Sequence, residues 1–168
     1  MQDIGTSHLG EPATAQAACR AAPCYRILVV EDDSELSVLY GSVLTRLGCL
    51  VDVAQDGAAG WEELQTKGYD LLITEQEMPN LTGVELVKML RAARMALPVV
   101  MAARRLPLEE LAKDPSLQIA ATLAKPFLAD AFLNTVESVL HMTESDHRQT
   151  LPSPGRPSQP SSPDLWLR

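Results

Sequence analysis

The chain has 168 residues, of which 46% are hydrophobic and 21% charged, and its formal net charge at pH 7 is −8. This length supports one compact core, and the composition is that of a folded protein. The acidic balance argues against direct binding to nucleic acid, because that affinity comes chiefly from clustered lysine and arginine. No apolar run approaches the ~20 residues of a membrane-spanning helix, and the chain does not begin with a secretory signal, so we expect a cytoplasmic protein without membrane insertion.

Two tails are predicted to flank a single domain at residues 25–142. Residues 1–24 are rich in alanine and show no lasting hydrophobic periodicity, which is typical of a disordered tail. From residue 143 to residue 168 the chain is polar and rich in proline and serine, so we expect a second disordered tail. Trp166 lies near its end, where it is either an apolar anchor for a partner protein or part of a frayed terminus.

The cysteines form an odd set, Cys19, Cys24 and Cys49, without the paired spacing of a metal site. This pattern indicates reduced thiols and not a disulfide framework. Cys49 lies among apolar residues, so we expect it to be an inert part of the core.

Short apolar runs alternate with stretches of helical period through the middle of the chain. Strands are predicted at residues 26–30, 50–54, 70–74, 98–102 and 119–123. Asp33 or Ser34 is predicted to cap the first helix, and Gly48 to end it. Shorter helices are predicted at residues 58–65 and 108–113. The alternation predicts an α/β fold, a parallel five-stranded sheet with helices on both faces, and function is expected at the carboxyl ends of its strands.

Most of the predicted helices carry an apolar face with helical spacing. The side chains expected to point inward are Leu36, Tyr40, Val43 and Leu47 in the first helix, Trp61 and Leu64 in the second, Val84, Val87 and Leu90 in the third, and Phe132, Val136, Val139 and Leu140 in the last. These faces are expected to pack on the sheet.

The carboxyl ends of four predicted strands converge on one surface. Glu31 and Asp32 follow the first strand, Glu75 the third, Ala103 the fourth and Lys125 the fifth. Two adjacent carboxylates that face a third repel one another, so they need a nearby cation. The pattern therefore favours a binding site over chance acidic caps.

With these residues the sequence resembles the receiver domains of bacterial two-component response regulators. The resemblance covers residues 25–141 and is carried by Ile27-Leu28-Val29-Val30-Glu31-Asp32-Asp33, by Asp70-Leu71-Leu72-Ile73-Thr74 leading to Met78-Pro79 and Gly83, and by Lys125-Pro126-Phe127. It implies a CheY-like, flavodoxin-like doubly wound sheet of order 2-1-3-4-5 with five helices. It also implies a phosphorelay signalling role that is not enzymatic, with a histidine kinase or an output or regulatory protein as partner.

The resemblance also implies a role for each residue at the strand ends. Glu31, Asp32 and Glu75 correspond to the residues that hold Mg²⁺, and Glu75 stands at the position of the phosphorylated aspartate. Lys125 corresponds to the lysine that contacts the phosphate, and the family implies a cis peptide bond before Pro126. Phosphoryl transfer needs such a divalent cation and such a positive side chain in place.

Three positions depart from the family pattern. Glu75 replaces the aspartate, and its additional methylene displaces the carboxylate by more than ~1 Å, which is costly in a geometrically demanding transfer. Ala103 stands where a switch hydroxyl is expected, and Thr122 stands where an aromatic switch is expected. We therefore predict a pseudo-receiver that acts by protein–protein contact independently of phosphorylation, with Mg²⁺ at most a weakly bound cofactor.

Arg104 follows Ala103, at a position where a small residue usually leaves the site open. We predict that its guanidinium lies over the carboxylates of Glu75 and Asp32 and fills the site; a solvated charge is the alternative. A titration with Mg²⁺ is then expected to show no saturable site.

Two other functions remain open from the sequence. The first is an active phosphoacceptor receiver that uses Glu75 or Asp33 with Mg²⁺. The second is a small α/β hydrolase or phosphatase, which lacks a Gly-x-Ser-x-Gly elbow and a Walker loop. A DNA-binding effector domain is not expected, because the last helix and the proline-rich tail use the residues that follow Pro126.

Overall fold

The computed structural model describes residues 25–150, with side chains for residues 25–143. The predicted tail at residues 1–24 lies outside the described residues, as do Cys19, Cys24 and Trp166.

Strands and helices alternate along the described part of the chain. They are β1 Arg26–Val30, α1 Ser34–Arg46, β2 Leu50–Ala54, α2 Gly57–Thr66, β3 Leu71–Thr74, α3 Gly83–Ala92, β4 Val99–Ala103, α4 Leu108–Lys113, a 3-10 turn at Pro115–Leu117, β5 Ala121–Ala124 and α5 Ala129–Thr150. The strands and helices lie where the apolar runs and helical periods predict them, to within about two residues at the strand ends. Only the 3-10 turn is absent from the prediction.

The strands form one parallel sheet in the order β2-β1-β3-β4-β5. This confirms the predicted doubly wound fold. In the register of the sheet Val30 pairs with Thr74, and Ala103 pairs with Ala124. Because these are the last residues of β1, β3, β4 and β5, the residues that follow them leave the sheet side by side at one edge.

Two apolar cores cover the two faces of the sheet. In β1, Leu28 and Val30 belong to the core under α2 and α3, whereas Ile27 and Val29 belong to the core under α1 and α5. All four side chains are at most 1% exposed. Full burial of one such side chain contributes about 1.5–3 kcal/mol, so the central strand is firmly held and fixes the position of the site at its end.

The inner face of α1 differs in part from the prediction. Tyr40 is buried as expected, but the helix buries Ser37 and Leu44 beside it, and Leu47 is 42% exposed. The reason is that Leu47 is the C-cap residue, just past the last helical turn, where the chain turns away at Gly48 with φ +84°. Cys49 is buried, at 7% exposure, as expected for a core thiol.

Helix α5 continues to Thr150, beyond the domain boundary predicted at residue 142. The residues from 143 to 150 contain no proline or glycine, so nothing in them stops a helix, and the first proline after them is Pro152. Within the described residues, no helix combines the length and the apolar character that crossing a membrane requires.

Candidate functional site

The end of β1 places three acidic residues at the sheet edge in different environments. Glu31 is buried, at 2% exposure, and Asp32 is exposed. Asp33 caps α1, and its Oδ1 accepts hydrogen bonds from the amides of Glu35 at 2.9 Å and Leu36 at 3.2 Å. Of the three, Glu31 alone is enclosed by protein.

The end of β3 holds Glu75 firmly. Its amide donates to the Val30 carbonyl at 2.9 Å, and its side chain is 6% exposed. Oε1 accepts from the amides of Gln76 at 2.7 Å and Glu77 at 3.4 Å. The hydroxyl of Thr74 donates to the Glu75 carbonyl at 2.9 Å, a contact that the apolar pattern of β3 does not predict. The carboxylate is therefore oriented by its own loop.

The loop after Glu75 is fixed by a close approach of α3. Gly83 is the first residue of α3, and a Cβ built there would lie 2.3 Å from the Glu75 carbonyl oxygen. The amide of Gly83 donates to the Gln76 carbonyl at 3.1 Å. Only glycine fits this position without moving the backbone of Glu75.

Lys125 joins the two glutamates. Its amide donates to the Ala103 carbonyl at 2.8 Å, and the Lys125-Pro126 peptide bond is cis. Its Nζ lies 2.6 Å from Glu31 Oε2 and 2.5 Å from Glu75 Oε2. The side chain of Lys125 is 8% exposed. We call this arrangement of Glu31, Glu75 and Lys125 the lysine bridge.

The lysine bridge pairs one positive group with two negative ones, since one ammonium faces two carboxylates. Burial opposes the ammonium, but the hydrogen bonds to Glu31 and Glu75 outweigh it and hold the pKa of Lys125 above its ordinary value. Burial raises the pKa of Glu31. Lys125 lowers this pKa by less than burial raises it, because Lys125 is shared with Glu75, whose negative charge also raises the pKa of Glu31. The ammonium also lies 5.8 Å from the centroid of the Tyr40 ring, which a core assignment for Tyr40 did not predict.

The predicted Mg²⁺ site does not fit this arrangement. Mg²⁺ demands near-octahedral oxygen ligands, and it is usually held through one or two carboxylates and several waters. Here the Oε2 atoms of Glu31 and Glu75 both bind Lys125, and Asp32 is exposed. No group of three acidic, histidine or cysteine side chains in the described part of the chain is placed to hold a metal ion. The cation at the sheet edge is the ammonium of Lys125.

Arg104 does not make the predicted contact. It is exposed, and the described residues contain no ion pair between Arg104 and a carboxylate. It lies on the wall of an acidic cavity of about 250 Å³ that Asp32, Glu75 and Lys125 also line. An ion pair does lie at the site, but its cation comes from the end of β5 and not from the end of β4.

The two switch positions lie where the resemblance places them. Ala103 is the last residue of β4 and is fully buried, and its methyl group offers no hydroxyl to a phosphoryl oxygen. Thr122 is exposed on β5, one of the two edge strands of the sheet. Neither side chain contributes a hydrogen bond to the lysine bridge.

Comparison with known proteins agrees with this geometry. The family model of the response regulator receiver domain matches residues 27–137. The chain is 32% identical over 115 residues to the probable transcriptional regulatory protein SilR of Salmonella typhimurium, across 68% of this chain and 50% of that protein. It is 30% identical over 115 residues to the transcriptional regulatory protein CusR of Escherichia coli, across 68% and 51%. The chain thus spans about half the length of these relatives.

Solved structures give the same fold. The receiver domain of the Francisella response regulator 1452 superimposes with a TM-score of 0.65 at 25% identity, covering 71% of this chain and 98% of that chain. A CheY-like receiver domain protein of Methanospirillum hungatei superimposes with a TM-score of 0.68 at 21% identity, covering 73% and 98%. At 21% identity the second likeness concerns the fold alone.

Proposed function

Because this chain belongs to the response regulator receiver domain family of two-component systems, we propose that it is a receiver-type module that signals by protein contact without being phosphorylated. In this proposal Glu75 takes the place of the phosphoacceptor, and Glu31, Asp32 and Glu75 form a degenerate metal site. Lys125 takes the place of the phosphate-contacting lysine, and Ala103 and Thr122 take the places of the switch residues.

The lysine bridge is the observation that carries the proposal. A phosphoryl group in transfer needs a divalent cation and a positive side chain that are free to contact it. Lys125 Nζ is already bonded to Glu31 at 2.6 Å and to Glu75 at 2.5 Å, and the other oxygen of Glu75 accepts from two amides. An incoming phosphoryl group would have to break these bonds, which join side chains that are at most 8% exposed.

The charge of Glu75 is a second reason to propose a conformation that phosphorylation does not switch. One carboxylate supplies about one negative charge, whereas a phosphoryl group supplies about 1.5–2 charges and three acceptor oxygens. The bond from Glu75 to Lys125 therefore imitates only part of a phosphorylated state. We propose that the sequence sets the conformation and that a partner biases it.

The partner in this proposal is another signalling protein, either a histidine kinase or an output or regulatory protein. The curated relatives are named as transcriptional regulatory proteins, but this chain spans about half their length. In this proposal the domain transmits a signal through contact and does not itself catalyse a reaction.

Phosphorylation of the intact protein tests the proposal. We expect no gain of phosphoryl mass when the full chain is incubated with acetyl phosphate and Mg²⁺ and measured by intact mass spectrometry. The matched control is Glu75→Asp, which withdraws the carboxylate from Lys125 by about one methylene and is expected to gain one phosphoryl mass. A phosphoryl group on Glu75 of the unaltered chain would refute the proposal.

The same experiment decides the main alternative, an active receiver that uses Asp33. Both amides bonded to Asp33 Oδ1 belong to the first turn of α1, so a phosphoryl group there would remove the helix cap. Phosphorylation at residue 33 would be found by peptide mapping. We expect no phosphoryl group on Asp33.

A further inference from the structure

An apolar cavity of about 470 Å³ lies beside the lysine bridge, between α1 and the start of α5. This volume is in the range of about 300–1,000 Å³ that is typical of ligand cavities. Leu36, Leu39 and Val43 line it from α1, and Phe127 and Phe132 line it from the other side. The rings of Phe127 and Phe132 stack with centroids 5.8 Å apart, which gives the cavity a rigid aromatic wall.

The rim of the cavity carries two cations that differ in their partners. Lys125 is bonded to Glu31 and Glu75. Arg104 is exposed and, within the described residues, forms no ion pair. A guanidinium at the mouth of an apolar cavity is suited to an apolar ligand that carries one acidic group.

We propose that the segment Asp164-Leu165-Trp166-Leu167 of the same chain binds in this cavity. Residues 152–163 consist only of proline, serine, glycine, arginine and glutamine, so this segment is an isolated apolar cluster after a polar stretch. Trp166 and its leucine neighbours provide the apolar surface, and Asp164 provides the acid that pairs with Arg104. The chemistry of the segment thus matches both the wall and the rim.

The segment is close enough in the chain to reach the cavity. Helix α5 runs from Ala129, which lines the cavity, to Thr150, a length of about 32 Å at 1.5 Å per residue. At about 3.1 Å per residue, a stretch as long as residues 151–164 can reach about 43 Å, which exceeds the length of α5 that it must run back along. Tethering gives an effective concentration in the ~mM range, so even weak binding by the segment fills the cavity substantially.

Occupation of the cavity has a consequence for interactions. The bound segment covers Leu39, which is 53% exposed, and the side of the lysine bridge next to Arg104. A protein that binds the same face of α1 must displace the segment first. The segment therefore acts as an autoinhibitory ligand, whether or not Glu75 accepts phosphate.

Tryptophan fluorescence of the full chain tests this inference. In a Trp61→Phe background Trp166 is the only tryptophan, and we expect blue-shifted emission and protection from quenching by acrylamide. Leu39→Asp, in the cavity wall, is expected to abolish the protection. The matched control is Val38→Asp, which alters a neighbouring α1 residue that is 67% exposed and does not line the cavity, and it is expected to keep the protection.

A charge reversal tests the contact at the rim. Arg104→Glu is expected to weaken the protection of Trp166, and adding Asp164→Arg to it is expected to restore the protection. A second measurement does not depend on the folding of an α1 variant. The methyl NMR signals of Leu36, Leu39 and Val43 are expected to move when Trp166→Ala is introduced into the full chain.

Three outcomes would overturn the inference. The first is quenching of Trp166 in the full chain that is as complete as in the Leu39→Asp variant. The second is protection that survives Leu39→Asp, because the segment would then bind elsewhere. The third is protection that disappears on dilution, because the occupant would then be a second copy of the chain.

Discussion

Lys125 stabilises two buried carboxylates that would otherwise repel each other. Replacement by methionine leaves Glu31 and Glu75 without a cation, and loss of one partner of a buried ion pair typically costs about 3–5 kcal/mol. We therefore expect Lys125→Met to lower the free energy of unfolding, measured by urea denaturation, by about that amount. Glu31→Gln and Glu75→Gln, added together to Lys125→Met, are expected to recover most of the loss, because they remove both charges.

The matched control for that experiment is Lys113→Met. The Lys113 side chain is 78% exposed and 3.9 Å from Glu109, so the change is expected to alter stability by less than about 0.5 kcal/mol. Equal effects of the two lysine substitutions would show that the lysine bridge contributes nothing to stability.

The pH dependence of stability tests the charge of Glu31. Burial raises its pKa in the folded protein above the ordinary value of about 4.5. An acid with a raised pKa contributes stability that is fully present below the pKa of the unfolded chain and is lost as pH rises through the folded pKa. We expect the unaltered chain to gain unfolding free energy relative to Glu31→Gln as the pH falls from 7 to about 4.5. A shift toward the variant would mean that Lys125 outweighs burial.

The sequence predicts which residues meet at the site but not which cation occupies it. Glu31, Glu75 and Lys125 converge because parallel strands end at one edge, and that follows from the order of the motifs. The choice between Lys125 and Arg104 does not follow, because both are long cations at adjacent strand ends. It depends on the chain path after each strand, which buries the Lys125 side chain and leaves Arg104 exposed.

At the scale of elements, the contact between β3 and α3 sets the position of Glu75. We expect Gly83→Ala to lower stability by about 1–3 kcal/mol, because a Cβ at this position would lie 2.3 Å from the Glu75 carbonyl oxygen. Urea denaturation measures the loss, and the amide NMR signals of Gln76 and Glu77 are expected to move with it. Gly68→Ala is the control, since a Cβ there meets no atom within 4 Å. No difference between the two variants would contradict the close approach.

The elements with an apolar pattern are predicted, and the short element that lacks one is missed. Strands β1, β3 and β4 are continuous apolar runs because both faces of the central sheet are covered. The 3-10 turn at Pro115–Leu117 is too short for a periodic signal, although Arg91 holds it by donating to the Leu117 carbonyl at 2.9 Å. The burial of Leu44 instead of Leu47 depends on where α1 ends, and the sequence places that only to within about one residue.

At the scale of the whole molecule, the alternation of strands and helices predicts a parallel sheet with helices on both faces, whereas the order of the strands follows from the resemblance to receiver domains. That order places β1, β3 and β5 so that their ends meet, and so it builds the lysine bridge from residues far apart in the chain. The fold is thus the family's fold, and the change in function that we propose lies in a few side chains at one edge of it.

The most direct measurement is a titration of the full chain with Mg²⁺ and beryllofluoride, an analogue of the phosphoryl group, followed by the amide NMR signals of Gln76 and Glu77. These amides donate to Glu75 Oε1 and report any movement of its carboxylate. We expect no saturable change in the unaltered chain at millimolar Mg²⁺, and a saturable change in Glu75→Asp. A saturable change in the unaltered chain would contradict this expectation, because Glu75 would then have left Lys125 to bind the metal and the analogue.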